Sequence, residues 1–334
     1  MRLVELRRAL MPPVGLADTV ADAGEAADLS TAQRDIDDAH ALYQSDRYDS
    51  VAKRLPEILR GVEAATAVAG DDEARRVALT VRAQAYFLAG KYLTQVRQYD
   101  LAYHAISRGI QDARETGQRL MAAYGVVGMS WLLLRQDRFD ECEHLATSTA
   151  DEIEPRVSSS TPEQLALWGE LSLRVASASI RNNRSDTAQE ARRMAATAAS
   201  ALDMEHVDFR AHWSTFGPVT AGIKAVEDLS LIGDARGVLR HADDGVLGRK
   251  ALKNVGKPSA NNWDRHRLDV AKAHVSLGSH QDAMHELNLM LRTSPEWLKH
   301  QAMARYVMAD ILHHRKRTLT KDMRTMAAHL GITG

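Results

Sequence analysis

Arginine, lysine and tryptophan side chains are the residues of this 334-residue sequence best suited to binding a ligand. Arginine and lysine cations hold carboxylates, and tryptophan rings can wall an apolar pocket. Catalysis has no comparable support, because the sequence contains no Gly-Lys-Ser/Thr phosphate loop, no Gly-x-Ser-x-Gly elbow and no His-Glu-x-x-His pair. We therefore expect a binding protein rather than an enzyme, and no cofactor.

The histidines and the single cysteine form no recognisable site in the sequence. The 14 histidines are scattered, and the adjacent His313 and His314 would point to different faces of a helix. We therefore favour surface histidines over a zinc site and expect no bound metal. One cysteine excludes an intramolecular disulfide and a cysteine zinc cluster. Cys142 is interpreted as a buried structural thiol rather than a redox sensor.

The overall charge is nearly balanced, with 43 Lys+Arg against 44 Asp+Glu. A neutral chain is not drawn to nucleic acid or to a membrane by its net charge. There is no apolar run of transmembrane length, and Arg2, Arg7 and Arg8 interrupt the only apolar stretch near the start. We expect a cytoplasmic protein without a membrane partner.

A recurring turn gives the strongest indication of the fold. A polar or glycine-containing turn is followed by a residue that is often aromatic, and then by a small residue that would open a second helix. Such turns occur at residues 46–51, 97–102, 137–142, 183–188 and 278–283, with a weaker sixth at 233–237. Their small residues lie at 51, 102, 142, 188, 237 and 283, so the spacing exceeds the tetratricopeptide period of about 34 residues. This pattern predicts extended helical hairpins.

The segments between these turns are typical of helices. In residues 74–96 the apolar residues recur at steps of three and four, and no segment alternates with a period of two. Breaks are predicted at 155–162, 216–218 and 256–259, with Thr161 capping a helix that begins at Pro162. We predict an all-α, tetratricopeptide-like right-handed superhelical solenoid of about six hairpins with C-terminal capping helices. It would cover residues 31–334, after a partly helical, acidic leader at 1–30.

The predicted binding groove follows from the hairpin positions. The first helix of each hairpin lines the concave surface of such a solenoid. Counting back from the small residues, and adding aromatic residues at hairpin entries, places ten residues near this surface: Lys91, Gln95, Trp131, Arg135, Arg174, Arg181, Trp213, Phe216, Arg265 and Lys272. They would suit an acidic or carboxylate-bearing ligand. The competing interpretation is an ordinary charged helix surface with tryptophans in the core.

Four motifs resemble a known family of regulators. Residues 41–48, 165–169, 213–218 and 266–274, the last followed by the turn at Gly278, resemble the C-terminal sensor region of actinobacterial, Streptomyces-like, XRE-type helix-turn-helix transcriptional regulators. The resemblance covers roughly nine tenths of the chain. Such proteins often continue Phe-Gly-Pro with Thr-Asn and a downstream His, where this chain has Val219, Thr220 and Lys224. Contacts that the family makes there are not implied for this chain.

The resemblance implies a sensor module. A peptide or small-molecule effector would bind in the groove and signal to a DNA-binding domain or a partner, and a homodimer is expected. The N-terminal DNA-binding domain of the family is absent, and a trimmed chain, a start codon assigned too late and a stand-alone sensor stay open as explanations. Residues 323–333 and the basic cluster at 313–317 are interpreted as a capping helix and a solvated helix end. The alternative function is a protein-interaction scaffold without a small-molecule ligand.

Overall fold

Helices make up nearly all the regular structure in this computed structural model, which describes residues 2–13, 25–156, 160–206, 213, 215–315 and 318–332. Several residues within the predicted ranges lie outside this part of the chain: residues 14–24 of the leader, 157–159, Ser214, Lys316, Arg317 and Thr333. The described residues divide into two compact units, Met1–Ser159 with Asp208–Trp213, and Ser160–Val207 with Ser214–Gly334. The first is called unit 1 and the second unit 2.

Unit 1 consists of one short helix followed by three helical hairpins. Within its described residues the helices are α1 (Arg2–Leu10), α2 (Leu29–Gln44), α3 (Tyr48–Ala67), α4 (Asp72–Gln95), α5 (Tyr99–Glu115), α6 (Arg119–Arg135) and α7 (Phe139–Glu152). The pairs α2–α3, α4–α5 and α6–α7 pack as hairpins, and α1 packs against α3 and α5. The helix α4 lies between α2 and α6, which explains why it is buried on most of its faces from Ala78 onward.

Unit 2 contains three further hairpins and a C-terminal group of helices. Within its described residues the helices are α8 (Pro162–Arg181), α9 (Ser185–Leu202), α10 (Pro218–Leu231), α11 (Ala235–His241), α12 (Arg249–Val255), α13 (Ala260–Ser276), α14 (His280–Thr293), α15 (Pro295–Lys299), α16 (Ala302–His313) and α17 (Lys321–Leu330), with a 3-10 helix at Gly245–Leu247. The hairpins are α8–α9, α10–α11 and α13–α14, and α17 packs against α14, α15 and α16.

The predicted fold class is confirmed: the chain is all-α and built from tetratricopeptide-like hairpins. At all six predicted turns a residue with positive φ lies two positions before the second helix: Asp46, Arg97, Asp137, Asn183, Gly233 and Gly278, with φ between 57° and 82°. The next amide donates to the carbonyl five residues earlier, as in the bond of 2.9 Å from Arg47 to Leu42. This is the hydrogen bond of a Schellman motif, which ends one helix and redirects the chain.

The small residues after these turns are buried, as the repeat pattern requires. Val51, Ala102, Cys142 and Ala283 are fully buried where the second helix of each hairpin meets the first. Cys142 therefore has the placement expected of a structural thiol. A further Schellman turn, at Gly117, joins α5 to α6 between two hairpins, and the sequence analysis did not identify it.

The helix ends at the breaks between hairpins are also explained by the local sequence. The Thr161 hydroxyl accepts a hydrogen bond of 3.1 Å from the amide of Gln164, so the predicted cap of α8 is confirmed. The helix α14 ends at Thr293, and Pro295 begins α15. The predicted division into a leader at 1–30 and a solenoid at 31–334 stays a prediction. No helix among the described residues combines the length and apolarity needed to cross a bilayer.

Candidate functional site

A cluster of charged side chains in unit 2 joins three helices that are each first in their hairpin. We call it the α8–α10–α13 cluster. It consists of Arg174 and Arg181 from α8, Lys224 and Glu227 from α10, and Arg265, Asp269 and Lys272 from α13. The helix α10 packs against both α8 and α13, which brings these side chains together.

Glu227 is the main acceptor of the cluster. Arg181 Nη2 donates a hydrogen bond of 3.0 Å to Glu227 Oε1, and Lys224 Nζ donates to Glu227 Oε2. Burial by itself would raise the pKa of the Glu227 carboxyl. The cations of Lys224, Arg181 and Arg265 outweigh burial and hold this pKa well below its usual range. Glu227 is therefore a carboxylate in the folded protein at neutral pH.

For the pKa of Lys224, burial outweighs the attraction of the opposite charge. Burial lowers the pKa of its ammonium group, and the nearby positive charges of Arg174 and Arg265 lower it further against the attraction of Glu227. Positive charges from α8, α10 and α13 therefore act on one another in this cluster. An additional anion at this place would relieve their mutual repulsion.

Asp269 is the second acidic residue of the cluster, and it accepts its hydrogen bond from a serine rather than from a cation. Ser230 Oγ donates a hydrogen bond of 2.8 Å to Asp269 Oδ1, and Lys272 Nζ donates to the Ser230 carbonyl at 2.9 Å. Burial and the negative charge of Glu227 raise the pKa of Asp269 to about 6, against the effects of Ser230, Lys224 and Arg265. Asp269 therefore gains or loses its proton at mildly acidic pH.

The cluster has access to solvent on one side. Arg174, Lys224 and Asp269 are buried, whereas Arg265 and Lys272 are half-buried and the Arg181 side chain keeps 24% of its exposure. Lys224, Arg181 and Arg265 act on Glu227, and the buried Glu170 lies one helical turn before Arg174. The chemistry available here is the binding of anionic oxygen atoms by cations with a low dielectric around them.

Five of the ten predicted site residues lie in unit 1. Lys91 is fully buried on α4, with Nζ 5.2 Å from the centre of the Tyr124 ring and 5.4 Å from that of Trp213. These are cation–π distances, so the aromatic rings surround a lysine that the sequence analysis expected in an open groove. Gln95 is buried one turn later on the same helix.

The other aromatic contacts of unit 1 are also close. Trp213 rests on α6 at Gly128, where an added Cβ would lie 2.1 Å from its ring. Trp131 and Arg135, both half-buried, stack near the end of α6 with the guanidinium carbon 5.3 Å from the ring centre. Lys91, Gln95, Trp131, Arg135 and Trp213 thus form contacts within unit 1, and their role in binding stays a prediction.

Phe216 has a structural position in unit 2. It is fully buried against α8 at Gly169, where an added Cβ would lie 2.0 Å from its ring. Its backbone pairs with His206 through hydrogen bonds of 2.8 and 3.2 Å. The Val219 and Thr220 amides donate to the buried Glu205 carboxylate. This carboxylate caps the N-terminus of α10 and fixes the entry of the chain into that helix.

Four predicted site residues, Arg174, Arg181, Arg265 and Lys272, lie in the α8–α10–α13 cluster, where their role in binding stays a prediction. Sequence reasoning missed Glu227 and Asp269. A usable signal was present, because Lys224 and Glu227 are spaced three residues apart, on one side of the mostly apolar helix α10, whose only other charged residue is Asp228. Charges in such a helix need partners from neighbouring helices.

The fold and the site together define an all-α helical-repeat protein with a partly buried ionic cluster. No protein-family model matches the sequence, and no curated protein matches it. Among solved structures, the chain is similar to a Rap protein complexed with competence and sporulation factor. The TM-score is 0.49 at 10% sequence identity, over 91% of this chain and 94% of that chain.

Proposed function

We propose that the protein is a ligand-binding helical-repeat module, and that its ligand presents carboxylate groups to the α8–α10–α13 cluster. One observation carries the proposal: four cations from three successive hairpins, Arg174, Arg181, Lys224 and Arg265, lie around Lys224 and Glu227. Burial lowers the pKa of Lys224, and the charges of Arg174 and Arg265 lower it further. These four cations outnumber the two carboxylates of the cluster, Glu227 and Asp269. A carboxylate that enters from the half-buried side would bind Arg174 and Arg265 and reduce this repulsion.

The ligand class follows from the size and chemistry of the cluster. An arginine can hold a carboxylate through two parallel hydrogen bonds, which a single point charge cannot reproduce. The cluster contains Arg174 and Arg265 besides Arg181, whose Nη1 and Nη2 already donate to the Ser177 carbonyl and to Glu227. A short acidic peptide or an organic acid with two or more carboxylates would engage more than one of them. The protein would act by binding, and the chemistry of the cluster requires no cofactor.

The finer role that we propose is that of an effector sensor in a transcriptional regulator of the XRE type. The resemblance of residues 165–169, 213–218 and 266–274 supports it. The effector would have to bind one arrangement of the hairpins better than another in order to change the activity of a DNA-binding domain or of a partner. A homodimer would transmit such a change to two half-sites of DNA.

A second candidate is a scaffold that binds a protein partner and no small molecule. Exposed apolar side chains at two neighbouring hairpin turns of unit 2 favour it, namely Leu231 and Ile232 after α10 and Leu277 after α13. In that case the α8–α10–α13 cluster would only stabilise the hairpins. Removal of its arginines would then change stability without changing the affinity for acidic ligands.

Binding of acidic peptides tests the proposal. We would titrate the full chain with a library of short peptides containing Asp and Glu, and with the same sequences carrying Asn and Gln, by thermal shift and isothermal titration calorimetry. The double variant Arg174→Ala, Arg181→Ala should weaken the binding of acidic peptides at least about tenfold, since each charge-assisted contact contributes about 1.5–3 kcal/mol.

Two further variants keep the result interpretable. Arg174→Lys with Arg181→Lys retains the charge near Glu227 but loses both forks, so it should fold and still bind more weakly. Arg193→Ala removes an exposed arginine of α9 that pairs with Glu190, and it should bind like the natural protein. Equal affinity in the natural chain and both double variants would contradict the proposed site. If no acidic peptide binds better than its neutral counterpart, the scaffold function is favoured.

A further inference from the structure

We propose that His280, Asp310 and His314 form a binding site for a divalent transition-metal ion, with Zn²⁺ as the expected occupant. Each residue offers one ligand atom, and these three atoms all lie within 4.8 Å of one another. Among the described residues, this is the place where three such side chains meet. The site is separate from the α8–α10–α13 cluster and does not depend on the function proposed for it.

The distances are close to those of a metal centre. His280 Nε2 lies 3.6 Å and His314 Nδ1 lies 3.2 Å from Asp310 Oδ2. Zinc binds imidazole nitrogen and carboxylate oxygen at about 2.0–2.2 Å, so neighbouring ligand atoms of one ion lie roughly 3–3.5 Å apart. The two measured distances nearly meet this condition. Only the separation of the two imidazole rings has to shorten, by about 1 Å or a little more.

The fold explains why these residues meet although they are 30 positions apart in sequence. The positive φ of Gly278 ends α13 and places His280 as the first residue of α14. Asp310 and His314 are four residues apart, one turn along the end of α16, so they face the same side. Packing of α16 against α14 then brings His280 to them. The sequence analysis favoured scattered histidines because this packing was not visible in the sequence.

The surroundings also suit a cation. The site lies between the C-terminal end of α16 and the N-terminal end of α14, whose opposite partial charges offset each other, so the three side chains themselves would hold the cation. The rings of His280 and His314 are stacked, with centres 5.1 Å apart and planes 23° apart, so a modest rotation directs both nitrogens to one point. The side chains keep between 25% and 53% of their exposure, which leaves a path for the ion and room for water ligands.

A proton is the natural competitor of the metal. His314 Nδ1 lies 3.1 Å from the Asp310 carbonyl, a contact that a protonated nitrogen would make as a donor. Metal binding requires the unprotonated nitrogen, and so it replaces that hydrogen bond. Two imidazoles and one carboxylate favour zinc, copper, nickel and iron over the hard cations Mg²⁺ and Ca²⁺. Bound zinc would link α14 to α16 and stabilise the C-terminal helices.

Calorimetric titration of the full, untagged chain with Zn²⁺ tests the site, with Mg²⁺ as the hard-cation control and the absorbance of bound Co²⁺ as a report on ligand geometry. We expect one Zn²⁺ per chain, no comparable binding of Mg²⁺ and a higher unfolding temperature with zinc. His280→Ala, His314→Ala and Asp310→Asn should each weaken zinc binding at least about tenfold, because even indirect supports of a metal site contribute 10–100-fold.

The matched control is His313→Ala, which removes the adjacent histidine of the same helix and leaves the three ligands in place. It should bind zinc within about twofold of the natural protein, and circular dichroism should show that all four variants are folded. The proposal is overturned if the natural chain binds no zinc. It is also overturned if His280→Ala binds zinc as tightly as the natural chain, or if His313→Ala weakens binding as much as His280→Ala.

Discussion

The guanidinium of Arg82 on α4 donates two hydrogen bonds, of 2.8 and 2.9 Å, to the carboxylate of Asp112 on α5. Arg82 also donates at 2.8 Å to Glu63 on α3, which accepts a bond of 2.6 Å from the Tyr86 hydroxyl. Burial would lower the pKa of Arg82, but its hydrogen bonds to Asp112 and the charges of Glu63 and Asp112 raise it. This buried network joins two successive hairpins of unit 1.

Replacement of Asp112 should destabilise the chain strongly. Asp112→Asn leaves the Arg82 guanidinium buried with part of its charge unpaired, a change that typically costs about 3–5 kcal/mol. The change would be measured as the free energy of unfolding in urea. The matched control is Glu115→Gln on the same helix, where Glu115 accepts a bond of 2.9 Å from Arg75.

The two carboxylates differ mainly in burial, since Asp112 is 2% exposed and Glu115 is 52% exposed. Screening by water limits the contribution of an exposed ion pair to the free energy of unfolding to less than about 1 kcal/mol. Similar losses of stability in the two variants would show that burial does not determine the strength of these pairs.

The turns and helices could be predicted from the sequence because short-range forces determine them. Asp46, Asn183 and Gly278 belong to residue types that tolerate a positive φ, and a buried small residue follows each turn at a fixed distance. The helix cap at Thr161 depends on one local hydrogen bond. Such features repeat along the chain, and the repetition itself made them recognisable.

The sites were predicted less completely because they depend on contacts between distant residues. The burial of Lys91 between Tyr124 and Trp213 requires that Trp213 fold back onto Gly128 of α6. Neither a spacing nor a composition signals that contact. Charge counting along the sequence found the arginines of the α8–α10–α13 cluster but could not pair Arg181 with Glu227, because that contact depends on the packing of α10 on α8.

Asp269 should make stability depend on pH. Its pKa is raised from an ordinary value of 3.8 to about 6 in the folded chain, so the folded state holds the proton more tightly than the unfolded state. The free energy of unfolding therefore falls as pH rises from about 4 to 6, and then levels off. Asp269→Asn removes this loss of stability, because the amide does not titrate in this pH range.

Comparison of the natural chain with Asp269→Asn at two pH values isolates the contribution of Asp269 to stability. Relative to the natural protein, Asp269→Asn should gain about 1 kcal/mol between pH 5 and pH 7.5, since one pKa unit corresponds to about 1.4 kcal/mol. Urea denaturation at both pH values measures it. Asp186→Asn, which changes an exposed carboxylate at the start of α9, controls for general effects of charge. A difference between natural and Asp269→Asn chains that stays constant with pH would contradict the assigned titration.

The turn at Arg97 should be improved by glycine. Arg97 has a φ of 63°, a conformation that costs an L-residue about 1–2 kcal/mol but costs glycine nothing comparable. Glycine also loses more freedom on folding, by roughly 0.5–1 kcal/mol, so Arg97→Gly should raise the free energy of unfolding by about 0.5–1 kcal/mol net. Gly278, with a φ of 78°, occupies the equivalent position of the α13–α14 hairpin, and Gly278→Ala should lower the free energy by about 1 kcal/mol.

Arg97→Ala separates backbone conformation from loss of the exposed arginine side chain. Alanine retains the Cβ that makes the positive φ unfavourable, so this variant should be no more stable than the natural protein. All three variants would be compared by urea denaturation under one set of conditions. If Arg97→Ala and Arg97→Gly were equally stable, the side chain rather than the backbone would determine stability at this turn. Stability should change in opposite directions at Arg97 and Gly278 for one reason. In both hairpins the residue that ends the first helix adopts the left-handed backbone conformation, which favours glycine.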